Sequence, residues 1–253
     1  MCKKEGKVLT IYEIGNILDP DFKKGNEKNI SSVYKIIYRL KALNMIIPIK
    51  NSLYFINNRK SFRDIDIIDS FYWQILKKVI ADNTGNDYFI GNLKAIELNL
   101  KDYSIPEEII IYCRDFEKTI SLTSKNKIIF KTLAGGKKNP KNSIYPKIKA
   151  FTKKTIIDKL SFVVANEELS LLDSLLIRNN MKKIDTYLID KFLNKYQKFL
   201  SREIMGKLVS LKYITSINRL REISKANGNN ILYGYCLDII KNEGGNCFLT
   251  VLK

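Results

Sequence analysis

Near the start of the chain, apolar residues recur at helical spacing: Val8, Leu9, Ile11, Ile14, Ile17 and Leu18. Thr10 stands three residues before Glu13, the pattern of a capping box, so a helix is expected to begin there. Asp19-Pro20 is a turn signal that should end it. Gly6 to Leu9 reads as a short residual helix ahead of it, and Phe22 to Lys28 as a polar loop. A second helix follows, capped by Ser31 or Ser32, with Val33, Ile36, Ile37, Leu40 and Leu43 spaced by three and four along its apolar face. The other face carries Lys35, Tyr38, Arg39, Lys41 and Ala42. Ile46 to Ile49 and Leu53 to Ile56 are short apolar runs around the polar turn Lys50-Asn51-Ser52, the signature of a β-hairpin. Helix, helix and two-stranded wing is the layout of a winged helix-turn-helix, expected over residues 1–60.

Residues 61–253 read as a mixed α/β domain with a helical C-terminal portion, so the chain as a whole is expected to be α+β. Ile65 to Ile80 suggests a linking helix, Tyr88-Phe89-Ile90 a brief strand or helix lead, and Leu93 to Leu100 a helix. Ile109-Ile110-Ile111-Tyr112 is expected as a central strand, with Thr119 to Leu122 and Ile128 to Lys131 as neighbours in an antiparallel arrangement. Residues 135–149 contain glycine, proline and lysine and read as a flexible basic loop. Sheet-like residues resume at Ile156 and Phe162-Val163-Val164. From Glu167 onward the spacing is helical almost throughout.

Charge sharpens this picture. The 253 residues carry 44 Lys and Arg against 26 Asp and Glu, a formal net charge of +18, which predicts a polyanionic partner. The excess is uneven. Residues 1–65 hold 13 basic and 6 acidic residues, residues 66–135 hold 9 and 10, and residues 136–160 hold 8 and 1. Two basic zones therefore flank a balanced one. Lysine dominates arginine, 36 to 8, so part of the excess is also what an AT-rich coding sequence would produce.

The chain contains no His, which removes His-based triads, proton shuttles and His-ligated metals. Cys2, Cys113, Cys236 and Cys247 lack metal-knuckle spacing and read as free thiols. No secretory leader and no membrane span is expected, which points to the cytoplasm.

On the second helix, Lys35, Tyr38, Arg39 and Lys41 would face the major groove of duplex DNA. Arg39 is the candidate for reading a base, because its fork matches guanine, whereas the lysines suit phosphates. Lys50 and Asn51 at the wing tip would touch the adjacent backbone or minor groove. A second basic surface is expected from Lys137, Lys138, Lys141, Lys147, Lys149, Lys153 and Lys154. Solvated lysines on an ordinary helix or loop would give the same pattern.

Signals for catalysis are weak. Gly135-Gly136-Lys137-Lys138 lacks Walker spacing, and Glu107-Glu108 and Glu167-Glu168 are adjacent pairs best placed at element starts. Asp64, Asp66 and Asp69 read as an acidic helix start. No enzyme activity, cofactor or metal is expected.

The chain also resembles the AbiEi family of antitoxins from type IV toxin–antitoxin and abortive-infection modules. The resemblance is carried by Ser32-Val33-Tyr34-Lys35 through Arg39-Leu40-Lys41-Ala42-Leu43-Asn44-Met45-Ile46 and the wing ending Leu53-Tyr54-Phe55-Ile56. It continues through Tyr88 to Leu98, Pro106 to Ile111 and Ala165 to Leu175. It implies a repressor that binds inverted repeats in its own promoter. It further implies an antitoxin that counteracts a nucleotidyltransferase-like toxin without a stable complex. Alternatives from the residues alone are a plasmid replication initiator or other winged-helix DNA-binding protein, and a metal-dependent enzyme acting on nucleic acid.

Overall fold

The computed structural model describes residues 7–19, 22, 27–50, 52–57, 64–133, 143–176 and 185–243. The chain divides into two compact units. One comprises residues 1–86 and 120–128, the other residues 87–119 and 129–253.

The first unit opens with strand β1 (Val8–Thr10), followed by helix α1 (Ile11–Leu18) and helix α2 (Glu27–Ala42). Strands β2 (Ile46–Pro48) and β3 (Leu53–Ile56) and the long helix α3 (Asp64–Thr84) complete it. The strands form one antiparallel sheet in the order β1-β3-β2, with Leu9 opposite Tyr54 and Ile47 opposite Phe55. The capping box is present: Thr10 Oγ1 accepts the Glu13 backbone N–H and Glu13 accepts that of Thr10. Val8 and Leu9, expected as helix, are instead strand. A capping residue must itself be extended, and β3 offers a free edge on that side. α2 also starts earlier than expected, which leaves Ser31 and Ser32 exposed inside the helix rather than capping it.

Leu9, Ile11, Ile14, Phe22, Val33, Ile37, Ile46, Tyr54 and Ile56 form one buried cluster, with Tyr12, Ile30 and Leu40 packed against it. Leu43, expected on this apolar face, is 67% exposed just past the helix end. α3, expected as a linker beginning a second domain after residue 60, packs on β1 and places Phe71 on Phe55, ring centroids 4.8 Å apart. Its Lys78 pairs with Glu13. These contacts explain why the first unit runs on to residue 86.

Phe22 lies directly on the α1 backbone. A Cβ added at Gly15 would stand 2.4 Å from its ring, too close to be accommodated without a shift. Gly15→Ala is therefore expected to destabilise this unit by about 1–3 kcal/mol despite the better helix propensity of alanine. Urea unfolding followed by fluorescence or circular dichroism would measure the loss.

The second unit begins with β4 (Tyr88–Ile90), α4 (Asn92–Asn99), β5 (Glu108–Cys113), β6 (Lys118–Ser121) and β7 (Lys127–Thr132). α5 (Tyr145–Lys149), β8 (Thr152–Ile157), β9 (Leu160–Ala165) and α6 (Glu167–Ser174) follow. The turn between β6 and β7 is counted with the first unit. The sheet order is β6-β7-β5-β4-β9-β8. β4 pairs antiparallel with β5 and parallel with β9, so the sheet is mixed rather than antiparallel throughout. The C-terminal portion is helical: α7 (Thr186–Tyr196), α8 (Arg202–Leu208), α9 (Ile214–Ala226) and α10 (Asn230–Asn242). Residues 145–149, expected within a flexible loop, form a helix opened by Pro146, a residue suited to the first helical turn.

Between α4 and α6 sits a buried carboxylate. Asp173 Oδ2 accepts the Asn92 backbone N–H at 2.8 Å, and Oδ1 accepts the hydroxyls of Tyr112 at 3.2 Å and Tyr213 at 3.4 Å. Gly91 offers no side-chain cap to α4, so Asp173 supplies one from another helix. A Cβ at Gly91 would stand 2.4 Å from the Tyr112 ring, which is why glycine fits this approach.

Candidate nucleic-acid interface

The α2 helix is held from behind by Val33 and Ile37, both nearly fully buried, and by the partly buried Ile30 and Leu40. That stripe orients the opposite face outward. Lys35, Tyr38, Arg39 and Lys41 are all exposed, Tyr38 at 75%. Among the described residues, no carboxylate pairs with Lys35, Arg39 or Lys41. Arg39 and Lys41 also sit in the last helical turn, where the helix dipole favours cations. Tyr34, 47% exposed, extends the same face one turn back. It was detectable in the sequence from its four-residue spacing to Tyr38, a spacing that shares a helix face.

The β2–β3 hairpin adjoins this helix in sequence and shares its core through Ile46, Tyr54 and Ile56. Its turn is closed by hydrogen bonds from Ile49 N to Leu53 O and from Leu53 N to Lys50 O, each 2.9 Å. Lys50, expected at the wing tip as a nucleic-acid contact, has its ammonium on the Ser121 carbonyl. Asn51 lies outside the described residues.

The second basic surface is not reproduced as a set. Lys137, Lys138 and Lys141 lie outside the described residues. Lys147, on α5, and Lys154, on β8, are exposed. Lys149 instead pairs with Asp87, which also accepts hydrogen bonds from Arg114 Nε and Tyr145 Oη, each at 3.2 Å. Burial raises the Asp87 carboxyl pKa, but Lys149 and Arg114 outweigh it and hold that pKa below the ordinary carboxylate range. Lys153 pairs with Glu167. Two of the seven expected phosphate ligands therefore have internal partners.

Glu97, Glu107, Glu108 and Asp185 line a cleft of about 430 Å³ with Lys94. Lys94 is nearly fully buried, and its ammonium donates to Glu97 and to the Ser104 carbonyl, both at 2.6 Å. Among the described residues, no group of three or more carboxylates and thiols is arranged to hold a metal ion. Burial pushes the Cys113 thiol up to about 11 and the Cys236 thiol up to about 12, so both are poor nucleophiles near neutrality. No helix among the described residues is long and apolar enough to cross a membrane.

No family model matches this chain, and no curated protein matches it. Among solved structures it is similar to the RV2827C protein from Mycobacterium tuberculosis, at 10% sequence identity. The superposition covers 96% of this chain and 78% of that one, with a TM-score of 0.57. At such identity the likeness concerns the fold alone.

Proposed function

We propose that this protein is a DNA-binding regulator whose first unit works as a winged helix-turn-helix, with α2 as the reading helix and the β2–β3 hairpin as the wing. The observation that carries this reading is the outward face of α2. Lys35, Arg39 and Lys41 stand exposed without carboxylate partners among the described residues, Tyr38 lies between them, and a buried stripe braces the helix. A surface helix whose cations neutralise no acid of its own protein favours an external polyanion. The net charge of +18 adds long-range attraction of the same sign.

The resemblance to AbiEi antitoxins extends the proposal. On it, the protein represses its own promoter at inverted repeats and counteracts a nucleotidyltransferase-like toxin as a functional rather than a stably bound partner. A mobility-shift titration on the chain's own promoter duplex, run across a salt series, tests the DNA reading. Binding is expected to weaken steeply and log-linearly with salt, and the absence of any shift at low salt would sink it. Co-expression with a nucleotidyltransferase-like toxin encoded beside this chain's gene, if the genome carries one there, tests the antitoxin reading. Growth should be rescued, and unrelieved toxicity would count against that part alone.

A further inference from the structure

Strand β8 is the end strand of its six-stranded sheet. It joins β9 through Asp158 and Lys159, both in the left-handed region at φ 47° and 61°. In a two-residue hairpin of that kind, the flanking pair Ile157 and Leu160 exchanges hydrogen bonds across the strands. Alternation along β8 then turns the N–H and C=O groups of Thr152, Lys154 and Ile156 away from β9, toward the free edge. Among the described residues no strand takes up these groups. On the same residues the side chains of Lys154 and Ile156 are exposed, Ile156 at 63%.

We propose that this edge is a dimerisation surface and that its occupant is β8 of a second copy of the chain, paired antiparallel about a twofold axis through Thr155. Symmetric registers centred anywhere from Thr152 to Ile156 would bring outward backbone groups together, and those at Thr152 and Lys153 run the overlap into the turn at residues 150–151. An axis at Lys154 sets the two ammonium groups directly opposite each other, which is unfavourable. An axis at Ile156 runs half the overlap into the left-handed turn. The axis at Thr155 keeps residues 153–157 of both copies in extended overlap. It sets Lys154 opposite Ile156 of the second copy, so that the lysine stem covers the exposed isoleucine at two equivalent places. The two Lys154 side chains are then diagonal neighbours rather than directly opposed, which lessens their repulsion. Lys153 is neutralised within its own copy by Glu167. The surface is thus complementary to itself, as a twofold interface must be.

Two chains of +18 repel one another, so the dimer should tighten as salt screens that repulsion. This is the opposite sign from binding to DNA.

The test uses the full-length chain without DNA, by size-exclusion chromatography with light scattering across a salt series. A mass of twice 29.3 kDa, growing in share with salt, is expected. Ile156→Pro removes an outward N–H while leaving the β9 ladder intact, and should weaken dimerisation roughly tenfold or more. A second measurement does not depend on that variant folding. In a Cys2→Ser, Cys247→Ser background, Thr155→Cys would place two thiols at the axis. There the opposed Cα atoms of a non-hydrogen-bonded pair lie about 4.5 Å apart, within disulfide range. Rapid disulfide-linked dimer with Thr155→Cys and little with Lys154→Cys supports the proposal. A monomer at every salt concentration, or cross-linking through Lys154→Cys instead, overturns it.

Discussion

Asp173→Ala is expected to destabilise the second unit on the order of 5 kcal/mol. The substitution removes the carboxylate acceptor shared by three donors in a nearly fully buried site: the Asn92 backbone N–H and the hydroxyls of Tyr112 and Tyr213. Each buried donor left unsatisfied costs about 1–3 kcal/mol. Loss of the cap that α4 receives from α6 falls on the same element. At roughly 2–4 °C per kcal/mol for a protein of this size, the unfolding midpoint should drop by about 10–20 °C in differential scanning calorimetry. Tyr213→Phe removes one long hydrogen bond and no carboxylate, and should cost about 1 kcal/mol or less. Equal losses for the two variants would mean that the site is held by packing rather than by the carboxylate.

The second large effect concerns DNA. If α2 reads the duplex, the triple variant Lys35→Ala, Arg39→Ala, Lys41→Ala should flatten the log–log salt dependence by roughly 2 to 3 units, about 0.9 for each phosphate no longer neutralised. Near-physiological salt would then show affinity lower by about two to three orders of magnitude. Arg39→Ala alone should behave differently. As a base reader it would lose about 1–3 kcal/mol on the cognate promoter site and far less on random duplex. Equal losses on both would reduce Arg39 to a phosphate ligand. An unchanged salt slope in the triple variant would remove α2 from the interface altogether. All these positions are exposed and outside the buried cluster, so thermal stability should hold within about 0.5 kcal/mol.

Features set by neighbours along the chain were legible in advance. The Thr10–Glu13 box, the Val33–Ile37–Leu40 stripe, the strand at Ile109 to Tyr112 and the Glu167 helix all depend on spacing of four residues or less. Features set by distant partners were not. Lys149 and Lys153 look like free cations in one dimension. The carboxylates that neutralise them, Asp87 and Glu167, lie 62 and 14 residues away. Asp173 reads as one more acid on a leucine-rich helix until the sheet brings Tyr112 beneath it, 61 residues distant. Val8 and Leu9 fit helical spacing as well as strand alternation over so short a span. The free edge of β3 decides between them.

The parallel pairing of β4 with β9 sets a timetable for the nascent chain. Tyr88–Ile90 leaves the ribosome with β5 close behind, but its other neighbour, Val164, follows more than 70 residues later. At about 5–20 residues per second, that strand waits roughly 4–15 s with one apolar edge unpaired. The carboxylate that caps α4 arrives later still, since Asp173 follows β9. In translation, then, the hairpin of β4 and β5 can form early, while the helix behind it stays unanchored until α6 has emerged. A pulse of protease on ribosome-bound chains should find the region around Asn92 cleavable until well over 173 residues have been made.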